Sequence, residues 1–208
     1  IKSGISVTDY PTKLKDHMNY DQATLIHTTI SPLLKDIAFI INKKSFNLYA
    51  EQLVKLIAIA QGKTGSMDNG IKEITSFLEK NSITTEGLNL FDGSGLSRSN
   101  LITTQTIVDL LKFITKRPTF KSFYHSLSIA GDPDDEGSFN NFGRGTLIAN
   151  NTRIKSGFIS NIRSHSGYVR DQSGRLIAFS FIANNFHGST SSINKIHKNV
   201  LLKLAEIK

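Results

Sequence analysis

Ahead of Arg153 the apolar residues recur at helical spacing, and beyond it they alternate. Leu33, Leu34, Ile37, Ala38 and Ile41 form a helical stripe, with Ser31 as N-cap, Pro32 at the first helical position and Asn42-Lys43-Lys44 as the break. A second helix is predicted from Leu48 to Gln61, with Leu53, Leu56, Ile57 and Ala60 forming much of its buried face and Gly62 stopping it. Asp68 is the expected cap of a third, with Ile71, Ile74 and Leu78 inward. Thr103 or Thr104 caps a fourth, with Ile107, Leu110, Leu111 and Ile114 inward and Pro118 as its end, and Phe120, Phe123 and Leu127 suggest one more short helix. Residues before Ser31 are weakly patterned, and Val7 to Thr12 reads as loop.

From Arg153 the chain predicts antiparallel strands over Ile154–Phe158, Arg163–Arg170 and Arg175–Ala183, the last two joined by the turn Asp171-Gln172-Ser173-Gly174. In the last strand Ile177, Phe179 and Phe181 alternate with Ala178, Ser180 and Ile182, so a cover on both faces is expected. Ser191 or Ser192 then caps a closing helix with Ile193, Ile196, Val200, Leu201 and Leu204 on one face. Helices followed by an antiparallel sheet define an α+β class.

Composition narrows the partners. A chain of 208 residues, 38% hydrophobic, can bury one real core. A net charge of +8 favours an anionic partner: nucleic acid, an anionic cell-wall polymer or a membrane surface. The chain has no tight Lys/Arg block and no zinc-finger or RNP-like spacing, so no nucleic-acid partner is expected; peripheral contact with a membrane stays open. Cysteine is absent, which removes disulfides and Cys-zinc sites. Ile1-Lys2-Ser3-Gly4 is not a signal peptide and there is no initiating Met, so the chain is expected to be a piece or a processed product of something longer.

The candidate chemistry sits on the first strand. Lys155-Ser156-Gly157 puts a cation beside a hydroxyl and then a residue without a side chain, an arrangement that can hold a carboxylate and let a substrate backbone approach. Gly62-Lys63-Thr64 resembles the end of a phosphate-binding loop, but the motif needs Gly where Ile57 stands. Asp132, Asp134, Asp135 and Glu136 lack the spacing of a calcium loop and are expected to form a solvated acidic turn. His17, His27, His125, His165, His187 and His197 have no paired ligand spacing and are expected as ordinary surface or half-buried residues; neither metal nor cofactor is expected.

Three stretches together resemble one family. Lys44-Ser45-Phe46-Asn47-Leu48-Tyr49-Ala50-Glu51 looks like the Ser-x-Asn motif of class C low-molecular-mass penicillin-binding proteins, the D-Ala-D-Ala carboxypeptidase/endopeptidase family. Asp92-Gly93-Ser94-Gly95-Leu96-Ser97-Arg98 with Asn100 is similar to that family's signature loop. Lys155-Ser156-Gly157, followed by Ser166-Gly167-Tyr168-Val169, resembles its Lys-Thr-Gly strand and hairpin. The resemblance implies a β-lactamase/transpeptidase-like fold, an antiparallel sheet flanked by helices, with residues 31–130 as helical region and 146–208 as strands and closing helix. It also implies acyl transfer through a serine, a peptidoglycan stem peptide as substrate, acylation by β-lactam antibiotics, and a periplasmic or exported location. Ser45 would relay a proton to the departing amine, and Asn47 would hold the substrate amide. Lys155 and Ser156 would bind the terminal carboxylate. Gly157 lies between them and Phe158, whose N–H would form one arm of the oxyanion hole.

The family's nucleophile motif, Ser-x-x-Lys near the mature N-terminus, has no counterpart before Ser45. The one such spacing, Ser192-Ile193-Asn194-Lys195, stands at the wrong place in the order and is explained by a helix cap. The expectation is therefore a C-terminal half that is inactive alone and exposes apolar surface. Phe46 stands where the family often has Asp, Ser156 where it has Thr, and Phe158 where Ser or Thr is usual. A related serine β-lactamase or esterase and a non-catalytic module binding cell-wall peptide are the rival readings, with a basic module binding nucleic acid as the bland one; the loop at Asp92 favours the peptidases over the first.

Overall fold

Four strands pair antiparallel in chain order in a computed structural model that describes Thr24 and residues 27–208. They are β1 (Ser128–Ile129), β2 (Arg153–Ile159), β3 (Ile162–Arg170) and β4 (Leu176–Asn184). The three long strands lie within about a residue of the predicted bounds. The two-residue β1, which pairs with Arg153 and Ile154, is too short to leave an alternating pattern and was not foreseen. Asn161, with φ 63°, turns β2 into β3. Asp171 organises the next turn by accepting from the backbone N–H of Ser173 (3.0 Å) and Arg175 (2.9 Å).

Each face of the sheet has its own core. Ile154, Val169 and Phe179 point to one side, where Leu201 and Ala205 of α6 (Thr190–Ala205) and Phe139 and Ile148 of the preceding loop cover them. On the other side Tyr168 is fully buried against Leu111 of α4 (Thr104–Ile114) and Leu127, with Leu176, Ala178 and residues of α5 (Phe120–Ser126) around them. Its hydroxyl donates to the Leu111 carbonyl at 2.7 Å, so the polar atom of the fully buried ring is satisfied. The double cover expected for β4 is present.

The remaining helices are α1 (Leu34–Lys44), α2 (Asn47–Ala60) and α3 (Met67–Lys80). Their caps depart from expectation at three places. Leu33, not Ser31, is the N-cap residue of α1. Ser66, not Asp68, accepts the Asn69 N–H at the start of α3, and Ser189 accepts the Ser192 N–H at the start of α6. Each of those serines stands three residues before the amide it caps, the reach of a hydroxyl. Thr103 caps α4 as one of the two predicted threonines.

The buried face of α2 also differs. Val54 and Ala58 are buried, while Leu56 and Ile57 are exposed. The reason is steric: Gly70 of α3 lies so close to Val54 that a Cβ there would overlap the Val54 backbone oxygen, and the small residues of α2 define the face that permits this approach. Leu56 (51% exposed), Ile59 (56%) and Phe77 (46%) remain open to solvent, in line with the apolar surface expected.

Asn42-Lys43-Lys44 does not break α1 but forms its last turn, and Lys43 is buried. Its ammonium is paired with Asp135, whose side chain is as deeply buried. The acidic stretch is therefore not simply solvated: Asp135 also accepts from the Gly137 N–H at 2.8 Å, and Lys44 donates to the Glu136 carbonyl at 2.7 Å. Asn42 donates to Ser126 Oγ at 2.6 Å. These contacts fix the end of α1 against the segment that enters the sheet.

Pro32–Lys208 forms one compact unit; in the other, Ile1–Ser31, the described residues have no helix or strand. The loop expected at Val7–Thr12 and His17 lie outside the described residues. No helix among the described residues is long and apolar enough to cross a membrane.

Candidate active site

The end of α1 delivers Ser45 to the sheet. Ser45 follows the last residue of α1 with φ 53° and ψ 48°, a left-handed conformation that costs a non-glycine residue about 1–2 kcal/mol. This turns its hydroxyl to Lys155 on β2, and Lys155 Nζ lies 2.8 Å from Ser45 Oγ. A second bond, 2.9 Å to the Ser156 carbonyl, steadies the ammonium. Burial, reinforced by the charge of Arg163, holds the Lys155 pKa below the ordinary lysine range. Arg163 is itself fixed by Asn194 of α6 at 2.9 Å.

Asn47 opens α2 and is exposed, with no side-chain hydrogen bond among the described residues. Phe46 precedes it as N-cap, offers no side-chain cap, and sets its ring edge-on to Tyr49 with centroids 4.6 Å apart. The α2 N-terminus is thus uncapped two residues from Ser45, and its positive end adds to Lys155 in drawing an anion.

Along β2 the side chains alternate. Lys155 and Gly157 share the face that carries Tyr168, whereas Ser156 and Phe158 share the α6 face. A Cβ at Gly157 would stand 2.5 Å from Ser164 Oγ on β3, so the missing side chain leaves room for a neighbouring hydroxyl. Phe158 is 57% exposed. Since β1 pairs only with Arg153 and Ile154, β2 from Lys155 onward presents an edge without a strand partner among the described residues. Such an edge can receive an extended peptide through main-chain hydrogen bonds.

The loop Asp92–Asn100 is built around two carboxylates. Asp92 accepts from the N–H of Gly95 (2.7 Å) and Ser97 (2.6 Å) and from the Asn100 side chain (2.8 Å). Glu51 of α2 accepts from the N–H of Gly93 (3.1 Å) and Ser94 (3.0 Å). A Cβ at Gly93 would stand 2.6 Å from the Ala50 carbonyl oxygen, which is why the loop can lie directly on α2. Sequence reasoning quoted Glu51 within a motif but gave it no role; the signal was its place one helical turn after Asn47.

Two histidines are more deeply placed than the surface or half-buried positions expected of them. His165 is fully buried beneath the sheet and His197 nearly so, with their Nδ1 atoms 3.0 Å apart. Phe139 and Phe142 flank His165, and Phe181 lies against His197. Burial first, then Arg163, then His197 push His165 down to about 3, and burial and Arg163 lower His197. Ser192 lies in the first turn of α6, the helix covering this face, opposite the Lys155 side chain. No group of three metal-ligating side chains occurs among the described residues.

An antiparallel sheet between helices, with a lysine on an open strand facing a serine between two helices, defines the β-lactamase/transpeptidase-like class. The fold matches TLA-3 extended-spectrum β-lactamase with a TM-score of 0.57 at 14% identity, covering 83% of this chain and 64% of that one, a likeness of fold alone. Penicillin binding protein 4 (dacB) from Haemophilus influenzae, solved in complex with a novel β-lactam, matches with a TM-score of 0.73 at 25% identity, over 83% of this chain and 41% of that one. A D-alanyl-D-alanine carboxypeptidase of Actinomadura sp. (strain R39) is 35% identical over 190 residues, 90% of this chain and 35% of the relative. The D-alanyl-D-alanine carboxypeptidase DacB of H. influenzae is 29% identical over 170 residues, 79% and 34% respectively. The profile of the D-Ala-D-Ala carboxypeptidase 3 (S13) family matches residues 2–205, and the chain belongs to that family. The resemblance to class C penicillin-binding proteins is borne out. The chain spans about a third of the length of the curated relatives it matches.

Proposed function

We propose that this chain is the C-terminal part of one transpeptidase-like domain, and that the whole protein is an exported serine D-Ala-D-Ala carboxypeptidase or endopeptidase that acts on peptidoglycan stem peptides and is acylated by penicillin. The observation that carries the reading is the Lys155–Ser45 hydrogen bond. An ammonium has no lone pair, so Lys155 donates and Ser45 Oγ accepts. The serine's own proton is then left to point into the cleft, where a departing amine would receive it. Lys155 would hold the terminal carboxylate, a charge-assisted contact stronger than a neutral one, and Ser156, whose side chain leaves β2 on the other face, would reach it around the open edge of the strand. The edge of β2 would align the peptide, with the Phe158 N–H directed at the developing oxyanion, and Asn47 would take the substrate amide.

The nucleophile would come from a Ser-x-x-Lys outside these 208 residues, since the one in the chain stands on the opposite side of the sheet. The 208-residue chain alone would then form no acyl-enzyme. Intact mass after incubation with penicillin tests this: no adduct is expected on the chain, and one adduct is expected on the full-length gene product. A stoichiometric adduct on the chain alone would overturn the reading and make Ser192 the first residue to replace.

A further inference from the structure

Ser45 is exposed and meets Lys155 through a single hydrogen bond, yet its backbone keeps a strained left-handed conformation. One such bond contributes too little to define that position, so the structure around it must do so. Both ends of the bond lead back to one carboxylate. On the serine side Lys43, two residues before Ser45, sets its buried ammonium on Asp135 Oδ1, and Lys44 donates to the neighbouring Glu136 carbonyl at 2.7 Å. On the lysine side Asp135 Oδ2 accepts from the Gly137 N–H at 2.8 Å. Gly137 in turn lies against Ser128 of β1, where an added Cβ would stand 2.0 Å from Ser128 Oγ and 2.6 Å from Asp135 Oδ2. Ser128 pairs with Ile154, the residue before Lys155. The contacts close a ring from Ser45 through Lys43, Asp135, Gly137, Ser128 and Ile154 to Lys155.

We propose that Asp135 is a positioning residue that sets the separation of Ser45 and Lys155, holding the end of α1 through Lys43 and the start of β2 through Gly137 and β1. The proposal rests on the acyl-transfer reading above. One carboxylate oxygen serves each side of the ring, so the two halves of the site cannot drift apart while both contacts stand. A proton relay works only within hydrogen-bond reach, so a small shift at Asp135 is felt in turnover although its side chain is buried away from the cleft's solvent. The close fit of Gly137 gives a second handle on the same spacing, one that leaves every charge in place.

The test is a double-substitution cycle in the full-length gene product, with kinetics taken well below the lowest melting temperature of the set. Asp135→Asn and Gly137→Ala should each lower kcat for a D-Ala-D-Ala-terminated peptide roughly tenfold, with KM within about threefold of wild type. In a Ser45→Ala background, where the relay is already gone, the same substitutions should change kcat by less than about threefold. A role in stability alone predicts equal losses in both backgrounds. Equal losses, or an unchanged kcat in Asp135→Asn and Gly137→Ala, would overturn the proposal and leave the acyl-transfer reading standing. Should Asp135→Asn fail to fold, the Gly137→Ala cycle decides the question by the same criterion. Full turnover in Ser45→Ala itself would overturn both the relay role of Ser45 and the proposal built on it.

Discussion

Lys155 and Ser45 are 110 residues apart in the chain and 2.8 Å apart in the fold, and the bond between them has one possible direction. A lysine ammonium donates, so the serine must accept and keep its proton for another partner. If Ser45 relays the proton as proposed, replacing it by Ala in the full-length gene product would remove that path, and turnover of a D-Ala-D-Ala peptide should fall by about 10²–10⁴-fold, the usual worth of a positioned proton donor. Ser45→Gly should lose as much activity. Since Ser45 holds φ 53°, the glycine variant should nevertheless melt higher than the alanine variant, by about 1 kcal/mol of stability. Steady-state rates and thermal denaturation of the same two proteins check both halves; equal melting temperatures would contradict the strain at this position.

The pair Lys43–Asp135 anchors the helix end from which Ser45 projects. Both side chains are buried, so removing one partner leaves an uncompensated charge. Lys43→Met should cost about 3–5 kcal/mol in urea denaturation, and Asp135→Leu a similar amount. The double substitution should recover much of the loss because it buries no charge. Two single losses that simply add would show that the ions act independently.

His165 and His197 make stability depend on pH. The buried pair shares one Nδ1 proton, and His165 Nε2 has no partner among the described residues. A proton on His165 Nδ1, donated to His197, leaves a lone pair rather than an N–H without a partner, the less costly choice. His165 is held down to about 3 in the fold against 6.5 unfolded. Between those values the unfolded chain binds the proton that the folded chain refuses. Stability is therefore full above about pH 6.5 and declines as pH falls toward 3, and the lowered His197 acts with the same sign. The faces packed on the pair bring Arg163 as the nearby charge, with Phe139, Phe142 and Phe181 otherwise. Melting curves of wild type and His165→Phe between pH 7 and pH 4 should diverge, the wild type losing more; parallel curves would remove the pair as the source.

The three long strands were legible because their residues alternate and their turns carry Asx and Gly residues, and the ends of the Ser45–Lys155 bond were legible because their motifs occur in order. Beyond β1 and the helix caps, three features were not. Lys43 reads as a surface charge until Asp135 arrives from 92 residues away, and nothing local marks that meeting. His165 and His197, 32 residues apart on a strand and a helix, have no shared period. The buried face of α2 belongs to Val54 and Ala58 rather than to the larger Leu56 and Ile57, because Gly70 and Gly93 approach closely, and propensity cannot rank a face by what docks on it.

The edge of β2 beyond Lys155 has a cost outside chemistry. If that edge, unpartnered among the described residues, receives a stem peptide as proposed, it is open to any extended chain, including a second copy of this one. Edge-to-edge pairing would extend the sheet across two molecules and close both clefts at once. The cations near that edge, Lys155 on β2 and Arg163 on β3, would repel those of a second copy, and an exposed Phe158 would pull the opposite way. Salt, by screening the cations, would favour that pairing, and a carboxylate-ended peptide occupying the edge would prevent it.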